Sequence, residues 1–402
     1  MTAPAAFDAL GLLREIEGIG RDPRRGGYSR HVFDDAERTL RDWFVERATR
    51  LGLGVETDRN GNLWAWWGEP GPDAIVTGSH LDSVPGGGAH DGPLGVVSAL
   101  DAVARLKAEG FAPARPLAIV VFAEEEGSRF GIACLGSRLL SGAIDPARAG
   151  ALRDATGRSF ADAARDAGLA SFGRDDEALS RIGVFVELHV EQGKGLIDLD
   201  APVAVASSIL EHGRWRVDVR GQGNHAGTTE IADRRDPMLP AAAAITAARR
   251  AASRRSGARA TIGRLEPIPG GTNVIASRVA AWMDVRASSE ADTRAIVEEV
   301  AAEVAEAAAA EGCEASVVEE SYSAEVRFDP VLRDRLAAAL GGVPVLPTGA
   351  GHDAGVLSAH VPTAMLFVRN PSGVSHAPEE GADDAAVAAG VDALAQSIRE
   401  LS

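Results

Sequence analysis

Four apolar runs in the sequence are each followed by side chains of the types that bind divalent metal ions. The runs are AIVTGS, LAIVVFA, IGVFVEL and TAMLFV, and the side chains that follow them are His80, Asp82 and Asp91, then Glu124, Glu125 and Glu126, then His189, and last His376. Imidazole and carboxylate together suit borderline to hard ions such as Zn, Mn, Co or Ni. Three histidines with two of these carboxylates are too many ligands for one tetrahedral site, but they fit two ions bridged by one carboxylate. Such an arrangement activates water for hydrolysis.

Each of these motifs has a plainer interpretation when it is taken alone. A histidine two residues before an aspartate is common in ordinary loops, and a run of glutamates is usually a solvated turn. The chain contains only nine histidines, however, and four separate strand ends carry such residues. The combination therefore favours a metal centre over coincidence.

The elements that must position these residues are short apolar strands that alternate with helices. The strands that the pattern predicts are Leu63–Trp67, Ala74–Gly78, Leu117–Ala123, Gly183–His189 and Thr363–Val368, and the helices include Asp34–Leu51, Gly92–Glu109 and Asp384–Leu401. This alternation predicts an α/β domain with a mostly parallel sheet. Because open α/β sheets bind ligands outside the carboxyl ends of their strands, we expect the four motifs to meet at one edge.

The pattern changes between residues 209 and 324. Strands are predicted at Gly213–Gly221, Arg259–Leu265, Asn273–Arg286 and Glu314–Glu319, and helices at Pro240–Ala252 and Glu290–Ala310. The order β-α-β-β-α-β is that of a ferredoxin-like α+β unit. We therefore predict two domains, an α/β domain of residues 1–208 and 325–402 and an α+β domain of residues 209–324 inserted into it.

The inserted region carries a second group of candidate residues. His225 follows its first strand, Asn273 opens another strand and Arg286 ends it. In the plainer interpretation these are turn and strand-end residues in contact with solvent. In the functional one, Arg286 binds a carboxylate with its two parallel N–H groups, while His225 and Asn273 donate to a carbonyl that becomes an oxyanion.

Composition argues against several classes of partner. With 41 Lys and Arg against 58 Asp and Glu, the net charge is −17, which argues against nucleic acid and anionic membranes as partners. Only two cysteines are present, and the N-terminal residues lack the basic and apolar regions of a signal peptide. No apolar run reaches the ~20 residues of a membrane span. We expect a cytoplasmic protein without a membrane anchor.

The motifs taken together resemble those of a known family. In chain order they are GSHLDSVPGGGAHDGPLGV, FAEEEGSRFG, ELHVEQG, GNHAGTTEIADRRDPM, NVIASRVAAWMDVR, TGAGHDAG and PSGVSHAPEE. They are similar to the M20 metallopeptidase-like amidases, and more closely to the hydantoinase/carbamoylase branch. That branch contains N-carbamoyl-L-amino-acid hydrolases, allantoate amidohydrolases and β-ureidopropionases. The resemblance extends from about residue 75 to about residue 380.

The resemblance implies a metal centre of two divalent ions per subunit, Zn, Mn, Co or Ni, with Asp91 as the bridging ligand. His80 and His189 would complete one site, and Glu126 and His376 the other. It further implies that a metal-bridging hydroxide attacks the substrate carbonyl.

The resemblance also implies roles for the residues around the ions. Glu125 would be the general base, with Glu124 as the less favoured candidate, and Asp82 would fix the tautomer of His80. The implied substrate-binding residues are Gln192, His225, Asn273, Arg286, Gly349 and Gly351. The inserted domain would be a lid and the dimerisation domain of a homodimer, and His225 would polarise the carbonyl in its own subunit or in the partner's.

The function that follows is hydrolysis of the ureido C–N bond of a small anionic substrate, an N-carbamoyl-L-amino acid or allantoate. N-formyl or N-acyl amino acids, dipeptides and a catalytically inactive binding protein remain as alternatives. Two residues depart from the family pattern. Lys194 stands where relatives commonly carry a proline, which affects the local loop geometry but not the ligands. His90 stands where relatives usually carry an aromatic or aliphatic residue, so it either touches the metals or alters the pocket wall. His352 lies in the pocket loop and has no assigned role.

Overall fold

The computed structural model describes residues 7–402, which form two compact units. One comprises the described residues through Ser208 together with Arg327–Ser402, and the other comprises Ile209–Val326. Within the described range, no helix combines the length and apolar character that crossing a membrane requires.

The first unit begins with helices and strands in alternation. In chain order these are α1 (Ala9–Ile16), α2 (Asp35–Arg50), β1 (Gly54–Thr57), β2 (Leu63–Trp67), β3 (Ala74–His80), α3 (Pro93–Ala108), β4 (Leu117–Phe122), α4 (Leu135–Ser141), α5 (Pro146–Ala151), α6 (Phe160–Asp166), α7 (Asp176–Arg181), β5 (Ile182–Val190), α8 (Gly195–Asp198) and β6 (Val203–Ile209).

The second unit follows, and the chain then returns to the first. The second unit contains β7 (His212–Arg220), β8 (Asn224–His225), a 3₁₀ turn (Ile231–Asp233), α9 (Met238–Ser253), β9 (Arg259–Ile268), β10 (Val274–Ile275), β11 (Arg278–Arg286), α10 (Glu290–Ala310) and β12 (Glu314–Ser323). The remaining elements are β13 (Val326–Arg327), α11 (Pro330–Ala339), β14 (Val345–Thr348), α12 (Asp353–Leu357), β15 (Thr363–Val368) and α13 (Asp384–Leu401).

The sheet of the first unit has four neighbouring parallel strands at its centre. The strand order is β1-β2-β4-β3-β5-β15-β6-β13, and β14 also pairs with β6. β4, β3, β5 and β15 pair in parallel, whereas β2 and β6 flank them in antiparallel pairing. The predicted α/β class with a largely parallel sheet is confirmed, and the antiparallel edges refine it.

The central strands are largely apolar because both of their faces are covered. β3, β4 and β15 are buried at every position. Helices α1, α3 and α13 share one large apolar cluster with this sheet, and α3 is buried from Pro93 to Val103. Such burial explains why these strands read as continuous apolar runs rather than as alternating patterns.

The second unit is an antiparallel sheet of four strands in the order β12-β7-β11-β9, accompanied by α9 and α10. Alternation along β7 shows which face is covered. Trp215, Val217 and Val219 are buried in a cluster with residues of both helices, whereas Arg216 and Arg220 point to the other face.

One predicted strand, Asn273–Arg286, is divided in the structure. Val274–Ile275 pairs with Asn224–His225 in a separate ribbon of two strands, and only Arg278–Arg286 joins the main sheet. The division falls at Ser277, whose N–H donates to the carbonyl of Ile268 at 2.8 Å. Asn273 therefore precedes a short ribbon rather than opening a strand of the sheet.

Candidate metal centre

The four strand-end motifs lie at the carboxyl ends of the four central parallel strands. His80 is the last residue of β3 and His189 the last but one of β5, while the three glutamates follow the end of β4 by two to four residues. His376 lies eight residues beyond β15. Since these strands are neighbours in the order β4-β3-β5-β15, their ends bring the side chains together.

A first group of possible metal ligands consists of His80, Asp91 and His189. Asp91 Oδ1 lies 3.2 Å from His189 Nε2 and 3.6 Å from His80 Nε2. All three residues are at most 3% exposed. The two imidazole rings stack with their centroids 5.8 Å apart. Both Nε2 atoms are thus directed at one carboxylate oxygen.

Hydrogen bonds at the other ring nitrogens fix the tautomers of these two histidines. His80 Nδ1 lies 3.0 Å from the carbonyl oxygen of Asp82, and His189 Nδ1 lies 2.9 Å from that of Val190. A carbonyl only accepts, so each Nδ1 carries a proton, and in the neutral ring each Nε2 presents a lone pair. Both Nε2 atoms are buried without a hydrogen-bond partner. Unpaired buried imidazole nitrogens beside a carboxylate fit the ligand set of a divalent ion.

A second group consists of Asp91, Glu126 and His376. His376 Nε2 lies 3.4 Å from Asp91 Oδ2 and 3.5 Å from Glu126 Oε2. The two oxygens of Asp91 therefore face different groups, Oδ1 the first and Oδ2 the second. This is the arrangement that a bridging carboxylate requires.

Gln192 lies beside this second group. Its side-chain nitrogen donates to Asp91 Oδ2 at 2.9 Å, and Ser375 Oγ lies 3.0 Å from the same nitrogen. Gln192 Oε1 is buried without a partner. The side-chain amide of Gln192 is thus part of the centre, and its oxygen has no hydrogen-bond donor.

Asp82 connects the first motif to the second. Its Oδ1 accepts the backbone N–H of Glu125 at 3.2 Å, and its Oδ2 accepts that of Glu126 at 3.1 Å. Its Oδ1 also lies 3.5 Å from His80 Nδ1. One buried carboxylate thus holds the backbone of the two glutamates and lies beside the histidine.

Glu125 lies beside the first group but is not a member of it. Its Oε2 is 3.5 Å from His80 Nε2, and its Oε1 accepts the thiol hydrogen of Cys134 at 3.3 Å. Glu124 points elsewhere, because its Oε1 accepts the backbone N–H groups of Arg129 and Phe130. Of the three glutamates in the motif, Glu125 and Glu126 face the centre.

Crowded buried charges shift the proton affinities at the centre. Burial, reinforced by the charge of Asp91, raises the pKa of Glu126 to about 8, and burial raises the pKa of Glu125 well above its usual range. Burial also acts to raise the pKa of Asp91, but the neighbouring imidazoles of His189 and His80 outweigh it and hold that pKa well below the ordinary value. Burial acts to lower the pKa of His80, but the carboxylates of Glu125, Asp82 and Asp91 outweigh it and raise that pKa well above its ordinary value. The centre therefore favours bound positive charge.

Backbone geometry at Gly92 allows Asp91 to approach His80. Gly92 has φ +85°, and a Cβ there would lie 2.4–2.7 Å from the His80 ring. Pro93 then occupies the first turn of α3, where a missing N–H costs nothing. Glu124 and His376 adopt positive φ as well, of 54° and 56°, and such backbone conformations cluster at functional sites.

Sequence reasoning missed two buried glutamates that support the centre. Glu380 Oε1 accepts the backbone N–H of Asp91 at 2.8 Å, and its Oε2 accepts the hydroxyl of Ser375 at 2.9 Å and the backbone N–H of His376 at 3.3 Å. Glu187 accepts Ser79 Oγ–H and the backbone N–H of Ala354. Glu187 could have been found, because it lies two residues before His189 on the same face of β5. No spacing rule indicates Glu380.

The loop that follows β14 contains the predicted pocket residues Gly349 and Gly351 together with His352. Gly349 follows this strand directly, and Gly351 is exposed. His352 is buried, its ring lies 4.5 Å from that of His189, and its Nε2 has no hydrogen-bond partner. Glu187, His189 and His352 form a third group of possible ligands. His90, in contrast, belongs to none of the three groups found among residues 7–402.

The candidates of the second unit fall into two separate places within that unit. His225 pairs with Val274 in the short ribbon, and the N–H of Ala226 donates to the carbonyl of Asn273 at 3.0 Å. Arg286 ends β11, where its Nε donates to Asp284 at 2.8 Å. The ribbon lies past the other end of β11, which spans about 26 Å at about 3.3 Å per residue. The unit brings His225 to Asn273 but does not bring either to Arg286.

Known proteins resemble the chain along almost its whole length. It is 36% identical over 400 residues to N-carbamoyl-L-amino acid amidohydrolase of Geobacillus stearothermophilus, with 97% of each sequence covered. It is 30% identical over 394 residues to allantoate amidohydrolase of Escherichia coli, with 96% of each covered. A crystal structure of an amidase of the hydantoinase/carbamoylase family from Burkholderia vietnamiensis superposes with a TM-score of 0.87 at 29% identity, with 98% of each chain covered.

The family model of peptidase family M20/M25/M40 matches residues 76–400, which include every member of the two groups that share Asp91. The chain belongs to peptidase family M20/M25/M40.

Proposed function

We propose that the protein is a metal-dependent amidohydrolase that cleaves the ureido C–N bond of a small carboxylate substrate, an N-carbamoyl-L-amino acid or allantoate. One observation carries the proposal: two groups of possible metal ligands share Asp91 through its two different oxygens. The carboxylate of Glu125, which belongs to neither group, lies beside them. The names of the similar proteins support this choice of substrate.

Two divalent ions, from Zn, Mn, Co and Ni, would be held by the two groups that contain Asp91. His80 and His189 would complete one site, and Glu126 and His376 the other. Ions bound there would supply positive charge that polarises the scissile carbonyl and lowers the pKa of the attacking water. The unpaired Nε2 atoms of His80 and His189 support this assignment.

Glu125 would take the proton of the attacking water and deliver it to the leaving nitrogen. Its raised pKa suits that role, because a carboxylate that holds a proton more tightly is a stronger base. Asp82 would act as a positioning residue, since its carboxylate holds the backbone of Glu125 and its main-chain carbonyl fixes the proton of His80 on Nδ1.

The remaining residues would bind the substrate. Arg286 would hold its carboxylate, His225 and Asn273 would donate to the carbonyl oxygen as negative charge develops there, and Gln192 with Gly349 and Gly351 would line the pocket. A small substrate does not span the ~26 Å of β11 that separates Arg286 from the ribbon of His225. We therefore infer that one bound substrate contacts Arg286 of one subunit and His225 of the other.

This inference makes residues 209–324 the lid and dimerisation domain of a homodimer, inserted into the catalytic domain of residues 1–208 and 325–402. A complementation experiment tests it. His225→Ala and Arg286→Ala variants should each be nearly inactive, and refolding them together should restore up to about a quarter of wild-type activity. In that mixture half of the dimers are hybrids, and each hybrid has one intact site. Activity that stays at the level of the single variants would contradict the shared site.

A substrate panel tests the reaction itself. N-carbamoyl-L-amino acids, allantoate, N-formyl and N-acetyl amino acids and dipeptides are assayed with Mn, Co or Zn, and ammonia release is measured. We expect ammonia from the ureido substrates alone. Hydrolysis restricted to N-formyl or N-acyl amino acids, or to dipeptides, would contradict the proposal. Metal binding without turnover of any substrate would indicate a binding protein.

A further inference from the structure

The thiol of Cys134 lies against the carboxylate of Glu125. Its Sγ donates to Glu125 Oε1 at 3.3 Å, and both residues are at most 5% exposed. Among residues 7–402 no other hydrogen-bond donor reaches Oε1. Burial and the negative charge of Glu125 raise the pKa of the thiol well above its ordinary value, so the sulfur keeps the hydrogen that it donates.

The two carboxylate oxygens of Glu125 have different surroundings. Oε1 receives the thiol hydrogen, whereas Oε2 lies 3.5 Å from His80 Nε2, an atom of the first group of possible ligands. A glutamate side chain has several rotatable torsions, so a carboxylate without a fixed partner populates several orientations. A hydrogen bond to one oxygen restricts that freedom, and here it leaves Oε2 directed at the ligands.

Main-chain hydrogen bonds fix the distance between these two residues. The N–H of Cys134 donates to the carbonyl of Glu125 at 2.6 Å, and the N–H of Leu135 donates to that of Glu124 at 3.0 Å. The N–H of Glu125 is in turn held by Asp82 Oδ1 at 3.2 Å. The start of α4 is thus bonded directly to the glutamates that follow β4, and the sulfur cannot move away from the carboxylate independently.

The backbone at position 134 does not account for a cysteine there. Cys134 has φ 55° and ψ 38°, in the left-handed region, and precedes the first residue of α4. This conformation favours glycine or asparagine over other residues. The contact that explains a sulfur at this position is therefore the one between the side chains.

From these contacts we propose that Cys134 is a positioning residue, whose thiol holds Oε1 of Glu125 so that Oε2 is the oxygen that takes the proton of the attacking water and passes it to the leaving nitrogen. The inference rests on the proposed function, in which Glu125 is the general base. A thiol suits the task because it is a weak, neutral donor. A lysine or arginine in its place would lower the pKa of the carboxylate and make it a poorer base.

Infrared spectroscopy of the reduced, zinc-loaded, full-length protein tests the contact without relying on activity. The S–H stretch lies in a window free of other protein bands, and a stronger hydrogen bond moves it to lower wavenumber. We expect the band that disappears in Cys134→Ser to lie lower than the one that disappears in Cys313→Ser, because the sulfur of Cys313 is 3.7 Å from its acceptor, the carbonyl of Glu311. Glu125→Gln replaces the carboxylate by a neutral amide, so it should move the Cys134 band to higher wavenumber and leave the Cys313 band in place.

Steady-state kinetics test the consequence for the reaction. Cys134→Ala removes the donor but keeps the Cβ, so the strain of the left-handed backbone is unchanged. We expect its kcat for a ureido substrate to fall about 10–100-fold, with KM and zinc content per chain unchanged. Cys134→Ser keeps a donor and should have a kcat at least about fivefold above that of Cys134→Ala. Cys313→Ala, the matched control in the second unit, should have the kcat and KM of the wild type.

The inference is overturned if the Cys134 band does not respond to Glu125→Gln, if Cys134→Ser is impaired as much as Cys134→Ala, or if Cys313→Ala loses as much kcat as Cys134→Ala. A wild-type kcat in Cys134→Ala beside an inactive Glu125→Gln would overturn this inference alone. Full activity of Glu125→Gln would overturn the proposed base and this inference with it. The infrared comparison does not need Cys134→Ala, so it decides even if that variant fails to fold.

Discussion

At the residue scale, the centre depends on carboxylates that fix other ligands as much as on the ligands themselves. Asp82 holds the backbone of Glu125 and Glu126, and Glu380 holds that of Asp91 and His376. With the family resemblance to select among the candidates, the five proposed ligands and Glu125 could be predicted from residue type and position at strand ends. Glu380 could not, since its role depends on a contact between residues that are 289 positions apart.

Replacing Glu380 tests how far the ligands depend on such support. Glu380→Gln keeps the shape of the side chain but replaces one acceptor oxygen by an NH₂ group, so one of the N–H or O–H donors loses its partner. We expect metal affinity to fall about 10–100-fold, measured by calorimetric titration of Mn into metal-free protein. Glu379→Gln, at the exposed neighbouring position, should change nothing. Equal affinity in both variants would show that Glu380 does not support the centre.

At the element scale, parallel pairing converts four distant segments into one site. The predicted strands correspond to β2, β3, β4, β5 and β15, and the apolar runs of the buried ones made them recognisable. The short strands β1, β13 and β14 and the helices α5 to α8 have too few residues for a periodic pattern. The break at Ser277 is likewise a tertiary effect, because the carbonyl of Ile268 that holds it comes from another strand.

Helix α3 offers a matched pair of glycines for a test of this positioning. Gly92 precedes its first residue and Gly110 follows its end, with φ of +85° and +73°. Alanine at either position costs roughly 1–2 kcal/mol of unfolding free energy through the left-handed backbone. Only at Gly92 would the new Cβ also meet His80, since nothing lies within 4 Å at Gly110.

Gly92→Ala should therefore lower the free energy of urea unfolding more than Gly110→Ala does, and it should weaken Mn binding at least tenfold. Gly110→Ala should bind Mn like the wild type. If the two variants were equally stable and bound Mn equally well, the close approach of α3 to His80 would have no functional consequence.

At the scale of the whole molecule, the net charge opposes the binding of an anionic substrate. The chain has a net charge of −17, and its proposed substrate is a small anion. Binding such a substrate requires local positive charge, which Arg286 and the ions would supply. The acidic composition thus argues against nucleic acid as a partner but does not indicate the substrate, which only the motifs and the relatives suggest.

The buried carboxylates predict how the stability of metal-free protein depends on pH. In the folded chain burial raises the pKa of Glu124 and Glu126 to about 8 and that of Glu380 to about 7, whereas in the unfolded chain these groups titrate near 4.5. At a pH between the unfolded and the folded pKa values, the folded state binds more protons than the unfolded state. Its stability therefore falls as pH rises from about 5 to about 8.

Thermal unfolding checks this prediction. The Tm of metal-free protein should be lower by several degrees at pH 8 than at pH 6, and added Mn should raise the Tm more at pH 8, because ions then replace protons as the compensating charge. A Tm of metal-free protein that is constant or higher at pH 8 would contradict the predicted charge balance.

The most direct test of the central claim combines metal stoichiometry with turnover. Metal-free protein is titrated with Mn, and bound ions per chain and ammonia release from an N-carbamoyl-L-amino acid and from allantoate are measured together. We predict that ammonia release from at least one of the two reaches its maximum at two ions per chain. Glu125→Gln should bind the same two ions and lose about 10²–10⁴-fold in kcat. Release of ammonia without metal, full activity of Glu125→Gln, or a protein that binds two ions and releases no ammonia from either substrate would contradict the account.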